Sequence, residues 1–231
     1  MKSFSDAYLN KISITPQILG LVSTLSEYKG KQALYTRQSP DILEKLVEKA
    51  KVESVQSSNR IEGIDVRRAR VVDIVRQQST PRNRPEEEVA GYRDALKYIH
   101  ENYKAIPVAQ NTVSLLHQFL YKYTGQEGGE FKWEDNLIVD RLDDGTERVR
   151  FTPPSASQTY LYVHSLVERY RFASQQRSFS PLVLIPLFIL DYLCIHPFKD
   201  GNGRTARLWA LVLLYHSGYN VGKFISLERI I

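Results

Sequence analysis

The sequence predicts an all-α fold with one small β-hairpin. Apolar residues recur at three- and four-residue intervals in a series of segments between residues 39 and 218. Strand-like runs are confined to residues 136–151, on either side of Asp144-Gly145. The composition is that of a globular chain: 231 residues, 42% hydrophobic and 25% charged, which excludes a wholly disordered chain or a fibre and is enough for a real core.

Residues 39–63, "SPDILEKLVEKAKVESVQSSNRIEG", open the helical series. Ser39 suits an N-cap, Pro40 the first helical position, and Ile42, Leu43, Leu46, Val47 and Ala50 follow at helical spacing. A polar, proline-bearing break, "STPRNRPE" (79–86), then precedes "PEEEVAGYRDALKYIHENY", whose acidic first turn suits a helix start. Eight residues are an ordinary connection, so the break is not read as a domain linker. An N-terminal helical region, 1–105, and a core, 106–231, are expected to pack as one globular unit. "NTVSLLHQFLYKY" and "SQTYLYVHSLVERYRFAS" are further helices, separated by the hairpin, which "TPP" (152–154) closes. "PLVLIPLFILDYLCI" (181–195) is the most apolar stretch, but it falls short of the ~20 residues that span a bilayer and is read as a buried helix. "RTARLWALVLLYHSG" is the last helix, with Gly218 as its stop, and "SLERII" at the end looks like a helix starting in a piece of a longer protein.

Net charge is +5, too mild to argue for an anionic partner. The single cysteine, Cys194, excludes an intramolecular disulfide, and no signal peptide is read at the N-terminus. A cytoplasmic setting without membrane contact is the expectation.

The chemistry concentrates in "HPFKDGNGR" (196–204) and its continuation to Arg207. The segment joins two apolar helices that bury themselves, so the turn is held rigidly. Gly201 and Gly203 permit positive φ and let backbone N–H groups converge. The next helix adds its unpaired N–H groups and positive dipole end, which together make an anion site. Arg204 and Arg207, three apart at the helix start, share a face and can fork onto phosphate oxygens. Asp200 is placed for a Mg²⁺ shared with phosphates. His196, the one group here that titrates near neutrality, is the candidate general base. The residues alone point to a nucleotide or phosphate site.

"HPFKDGNGRTAR" also resembles the signature of the Fic family, His-Pro-Phe-x-Asp-Gly-Asn-Gly-Arg-x-x-Arg, at every fixed position: His196, Pro197, Phe198, Asp200, Gly201, Asn202, Gly203, Arg204 and Arg207. The resemblance implies a Fic-fold helical bundle with a β-hairpin flap and transfer of AMP from ATP to a Ser, Thr or Tyr hydroxyl of a target protein. It assigns the target proton to His196, Mg²⁺ to Asp200, the α/β phosphates to Gly201, Asn202 and Gly203, and the outer phosphates to Arg204 and Arg207. Phe198, beside Pro197, is the buried anchor. Gly203 favours AMP, because relatives that phosphorylate carry lysine there. Transfer of another phosphate-containing group, or a nucleotide-binding regulatory module without turnover, are the alternatives.

A second stretch, "SSNRIEG" (57–63), sets Ser58 and Glu62 on one helical face before Gly63. A plain helix end capped by Gly63 explains it. It is also similar to the inhibitory motif [Ser/Thr]-x-x-x-Glu-[Gly/Asn] of one Fic branch. That resemblance implies that Glu62 pairs with Arg207 in the space of the ATP γ-phosphate. It further implies that the 136–151 hairpin, with "GGEFK" (128–132) and "FTPP" (151–154), docks the target segment by main-chain pairing. The tip "DRLDDGTE" is longer and more charged than the family pattern. Some of the 14 tyrosines offer hydroxyls for self-modification, and a homo-oligomer is left open. DNA contact is expected only if a winged helix follows Ile231, where residues completing an adenine pocket would also lie.

The arginines between 60 and 84 read as a solvated helix face rather than a nucleic-acid patch, since stacking aromatics are absent there. His100, His117, His164 and His216 have no zinc-ligand spacing.

Overall fold

The computed structural model describes residues 3–38, 40–142 and 144–230. The chain runs α1 (Asp6–Leu9), α2 (Pro16–Gln38), α3 (Pro40–Ile61), α4 (Arg68–Val75), α5 (Arg84–Asn102), α6 (Gln110–Tyr121), β1 (Ile138–Arg141), β2 (Glu147–Phe151), α7 (Ala156–Gln176), α8 (Pro181–Ile195) and α9 (Asn202–His216), then a 3₁₀ turn at Val221–Lys223. The expected all-α fold with one hairpin is what forms. β1 and β2 pair antiparallel, with Val139 opposite Val149 and an irregularity between Ile138 and Val139. Among the described residues no helix is long and apolar enough to cross a membrane.

Side-chain caps set the starts of two helices. Asn83 caps α5, its side chain accepting the Glu86 N–H at 3.1 Å. Ser180 caps α8 in the same way through Leu182, with Pro181 in the first turn. The Ser39 cap expected for α3 lies outside the described residues. Residues 227–230 form a single turn, with Ser226 Oγ accepting the Arg229 N–H at 3.2 Å.

The core centres on α8 and α9. Phe188, Tyr192 and Ile195 on α8 and Leu208, Trp209, Val212 and Leu213 on α9 are fully buried, and α5 and α6 add Tyr92, Leu96, Leu116 and Leu120. The Phe188 and Trp209 rings meet at 5.5 Å. Both helices flanking residues 196–201 are therefore fixed by packing, as the motif's rigidity requires.

Three features depart from expectation. Helix α2 carries 23 residues that the hydrophobic pattern left unassigned. Its apolar side chains face outward, so they give no core-facing periodicity. The arginine run is not uniformly solvated, since Arg70 pairs with Glu86 at 2.6 Å and Arg84 with Glu88 at 3.0 Å, tying α4 and the start of α5 into the body. Finally, Arg204 and Arg207 do not share an environment.

Candidate active site

Residues 196–201 form a short loop between α8 and α9, shaped by backbone conformation. His196 terminates α8 in the left-handed region (φ 47°, ψ 62°), and Gly201 precedes α9 at φ 76°. At Gly201 a side chain would be strained by conformation and would press on the His117 and Tyr121 rings.

The loop is fastened from below. Phe198 is fully buried and stacks on His117, with ring centroids 3.8 Å apart. Asn202 closes the turn on itself: its Oδ1 accepts the Phe198 N–H at 2.9 Å and its Nδ2 donates to the Phe198 carbonyl at 2.8 Å. The Asn202 side chain is thereby committed to the loop, which leaves its backbone N–H as its means of contacting an anion. Asn136 Nδ2 donates to the His196 and Phe198 carbonyls, both at 3.2 Å, and the Lys132 N–H to the Pro197 carbonyl at 2.8 Å. The segment before the hairpin thus braces the motif.

His117 is a positioning residue that sequence reasoning missed. Its Nδ1 accepts the Gly129 N–H at 2.8 Å, which leaves Nε2–H to donate to the Asp200 carbonyl at 3.0 Å. Burial pushes its pKa down to about 4, so the imidazole is neutral, as these two bonds require. The signal was present: His117 lies one helical turn before Tyr121, whose hydroxyl donates to Asp200 Oδ2 at 3.0 Å. Asp200 Oδ1 accepts the Gly201 N–H at 2.6 Å. Burial alone would raise the Asp200 carboxyl, but the Gly201 N–H, the Tyr121 hydroxyl and Arg204 outweigh it and hold the group below the usual carboxylate range.

His196 is half-buried, and its Nδ1 lies 3.3 Å from the Leu193 carbonyl. With Nδ1–H donating there, Nε2 is left as an acceptor. Burial lowers its pKa from the ordinary histidine value, so at neutral pH the ring is an unprotonated base.

The first turn of α9 has no side-chain cap. Its leading N–H groups are free to bind an anion, with the helix dipole in support. Arg204 lies beneath this turn, fully buried, donating to Glu88 Oε2 at 2.6 Å and sitting over the Tyr121 ring at 5.9 Å. Its buried Nε has no hydrogen-bond partner among the described residues. Arg207 points the other way, to α3. Its Nε donates to Ser58 Oγ at 2.8 Å, and its Nη2 to the Ser58 carbonyl at 2.8 Å and to Glu62 Oε1 at 2.7 Å. A methyl group on Gly203 would overlap Glu62 Oε1, so the Glu62 carboxylate rests directly against the first turn of α9.

The plain helix-end reading of residues 57–63 holds together with the pairing. The Ile64 N–H reaches the Asn59 carbonyl and the Gly63 N–H the Arg60 carbonyl, both at 3.0 Å, with Gly63 at φ 76°. This Schellman closure leaves Glu62 as the last helical flank, aimed at α9. Ser58 is buried, and the Tyr92 hydroxyl, also buried, donates to Glu228 Oε1 at 2.9 Å.

The site also fits a magnesium nucleotide. An exposed, deprotonated carboxylate at Asp200 stands beside an uncapped helix end and a buried guanidinium with a free N–H. Among the described residues no three His, Cys, Asp or Glu side chains converge on a point, so a cation there would draw most of its ligands from phosphate and water.

Fold and site together define a helical domain with a histidine-flanked anion nest. Residues 107–214 match the Fic/DOC family, and the chain contains a Fic/DOC domain. The chain is 28% identical, over 134 residues, to the "Protein adenylyltransferase Fic" of Drosophila grimshawi, a match covering 57% of this chain and 26% of that protein. The match to the Drosophila melanogaster protein of that name has the same identity and spans 25% of it. The matched region is thus about a quarter of the length of these relatives. Among solved structures, a Fic domain containing signaling protein from Bacteroides thetaiotaomicron superposes with a TM-score of 0.70 at 25% identity, over 84% of this chain and 72% of that one. A Fic family protein from Desulfovibrio desulfuricans superposes with a TM-score of 0.76 at 21% identity, over 95% and 63%, a likeness of fold.

Proposed function

We propose that this chain is a protein adenylyltransferase that moves AMP from ATP to a Ser, Thr or Tyr hydroxyl of a target protein, and that Glu62 restrains it. The observation that carries the reading is that the uncapped first turn of α9 already has an anion against it. Glu62 lies on Gly203 and Arg207, while His196 presents a free Nε2 at the other end of the same loop.

In the released state the free N–H groups of α9 and the Arg207 guanidinium take phosphate oxygens. Nε2 of His196 accepts the proton of the target hydroxyl as its oxygen bonds to the α-phosphorus. The bond from that phosphorus to the bridging oxygen breaks, and pyrophosphate leaves. A Mg²⁺ held by Asp200 would neutralise charge on the phosphates. The protein's share is positioning and charge stabilisation, with the base contributing ~10²–10⁴-fold. A carboxylate and a γ-phosphate compete for one guanidinium, so ATP meets Glu62 before it can settle productively. The hairpin offers the open backbone edge of a two-stranded sheet to a target segment.

Mass spectrometry of a cell lysate incubated with ATP, Mg²⁺ and the Glu62→Gly variant tests this, with adenosine monophosphate adducts on hydroxyl side chains expected. ATP binding by calorimetry with no adduct from Glu62→Gly would instead identify a nucleotide-binding module without turnover.

A further inference from the structure

His196 stands where a helix end commonly takes glycine. It follows Ile195, the last residue of α8, at φ 47°, a conformation that a residue with a side chain keeps only when its surroundings hold it there. The holding comes from one short segment before the hairpin. Lys132 Nζ donates to the Ile195 carbonyl at 3.2 Å, and the Lys132 N–H to the Pro197 carbonyl at 2.8 Å. Asn136 Nδ2 donates to the His196 and Phe198 carbonyls. Two residues thus take four successive carbonyls, from 195 to 198. Asn136 is held in turn, its Oδ1 accepting Lys132 Nζ at 2.7 Å. Lysine is seldom buried, yet Lys132 is only 5% exposed, and the two acceptors that its ammonium meets among the described residues are neutral. Its charge sits at the carbonyl end of α8, where the helix dipole favours a cation.

We propose that Lys132, on the reading of His196 as the catalytic base, is a positioning residue for that base: it locks the left-handed turn at 196 and so fixes which ring nitrogen faces the reacting hydroxyl. Turn and ring are linked, because His196 Nδ1 lies 3.3 Å from the Leu193 carbonyl, a contact that depends on where the chain leaves the helix. With the proton on Nδ1, the lone pair of Nε2 is free to accept. Without the brace the turn relaxes, the Nδ1 contact is lost, and the proton moves to Nε2, its ordinary place in a solvated histidine. The charge on Lys132 also opposes a second proton on the ring, while Asp200 and Glu62 favour one.

Long-range proton–nitrogen correlation spectra of the labelled imidazoles, at about pH 8 and so above the ordinary histidine range, report the tautomer directly. His196→Ala identifies the signal among the five histidines. Wild type should show Nδ1–H and Lys132→Met mainly Nε2–H, while Lys132→Arg, which keeps charge and donors, should retain the wild-type form. In the Glu62→Gly background, Lys132→Met should lower kcat for AMP transfer about 10–100-fold and leave the KM for ATP within about twofold, because the phosphate ligands on α9 are untouched. Lys132→Arg should recover most of that loss. Asn136→Ala, which keeps the lysine, should move tautomer and kcat in the same direction, and it decides the matter if Lys132→Met does not fold. Nε2–H in the wild type, or the wild-type tautomer and kcat in both Lys132→Met and Asn136→Ala, would overturn the proposal. So would a raised KM for ATP at unchanged kcat, which would assign Lys132 to nucleotide binding. If Glu62→Gly transfers no label, the adenylyltransferase reading fails, and the tautomer still decides for or against Lys132.

Discussion

Arg204 and Arg207 stand three residues apart on α9, and the two ends of that first turn are built on different principles. The Arg204 end is closed. Its guanidinium is fully buried, Glu88 neutralises it at 2.6 Å, and His117, Tyr121 and Asp200 surround the same loop. The Arg207 end is open, its partner Glu62 being a partly exposed side chain at the end of another helix. Burial makes the first pair permanent, because separating two desolvated charges is expensive. Partial exposure makes the second exchangeable, because water or a phosphate can replace the carboxylate. One turn of helix thus combines a fixed anchor with a position that a ligand can claim.

The contrast is broken most severely on the closed side. Glu88→Ala leaves a buried, uncompensated guanidinium and should cost about 3–5 kcal/mol, lowering Tm by roughly 10 °C in a calorimetric scan. Arg207→Ala should cost only about 1 kcal/mol while weakening nucleotide binding. Equal destabilisation by the two would contradict the distinction.

Acid attacks the same closed side. Burial holds His117 at about 4, and His100, bonded to the Tyr215 hydroxyl, likewise at about 4, with Lys51 and Lys223 adding to the shift. Between pH 6.5 and 4 the unfolded chain takes up these protons and the native state does not. The stability that these groups contribute is therefore fully present above pH 6.5 and lost as pH falls towards 4, a matter of a few kcal/mol. Thermal melts across that window should show Tm falling steeply; a flat profile would mean that these rings are solvated.

A smaller effect sharpens the open side. Ser58→Ala removes the buried hydroxyl that accepts from Arg207 Nε at 2.8 Å and should cost about 1–2 kcal/mol. Because that contact helps hold Arg207 beside Glu62, this variant should raise basal AMP transfer modestly, well short of the Glu62→Gly effect. Transfer unchanged from wild type would separate the Ser58 contact from the restraint.

The sequence made one side of this comparison far more legible than the other. The motif at 196–207 and the pair Ser58–Glu62 sit in short local patterns, and the structure brings Arg207 onto both residues of that pair. The burial of Arg204 was not legible, because its partner Glu88 is 116 residues away on α5 and looks like one of three acidic residues in an ordinary first turn. His117 was hidden for the same reason, its role depending on a carbonyl 83 residues away. Helices α3 and α5 to α9 show in the periodicity because they bury one face. Helix α2 does not, because most of its apolar side chains face solvent. The resemblance assigned Asn202 to the phosphates, and only the folded loop shows its side chain spent on Phe198.

The central claim is that Glu62 occupies the place on α9 that a nucleotide phosphate must take before His196 can act. Its most direct test is incorporation of α-labelled AMP from ATP and Mg²⁺ into protein by three forms side by side. Glu62→Gly should label well above wild type, and Glu62→Gly/His196→Ala should fall to background. Glu62→Gly labelling no faster than wild type, with both above the His196→Ala background, would contradict it.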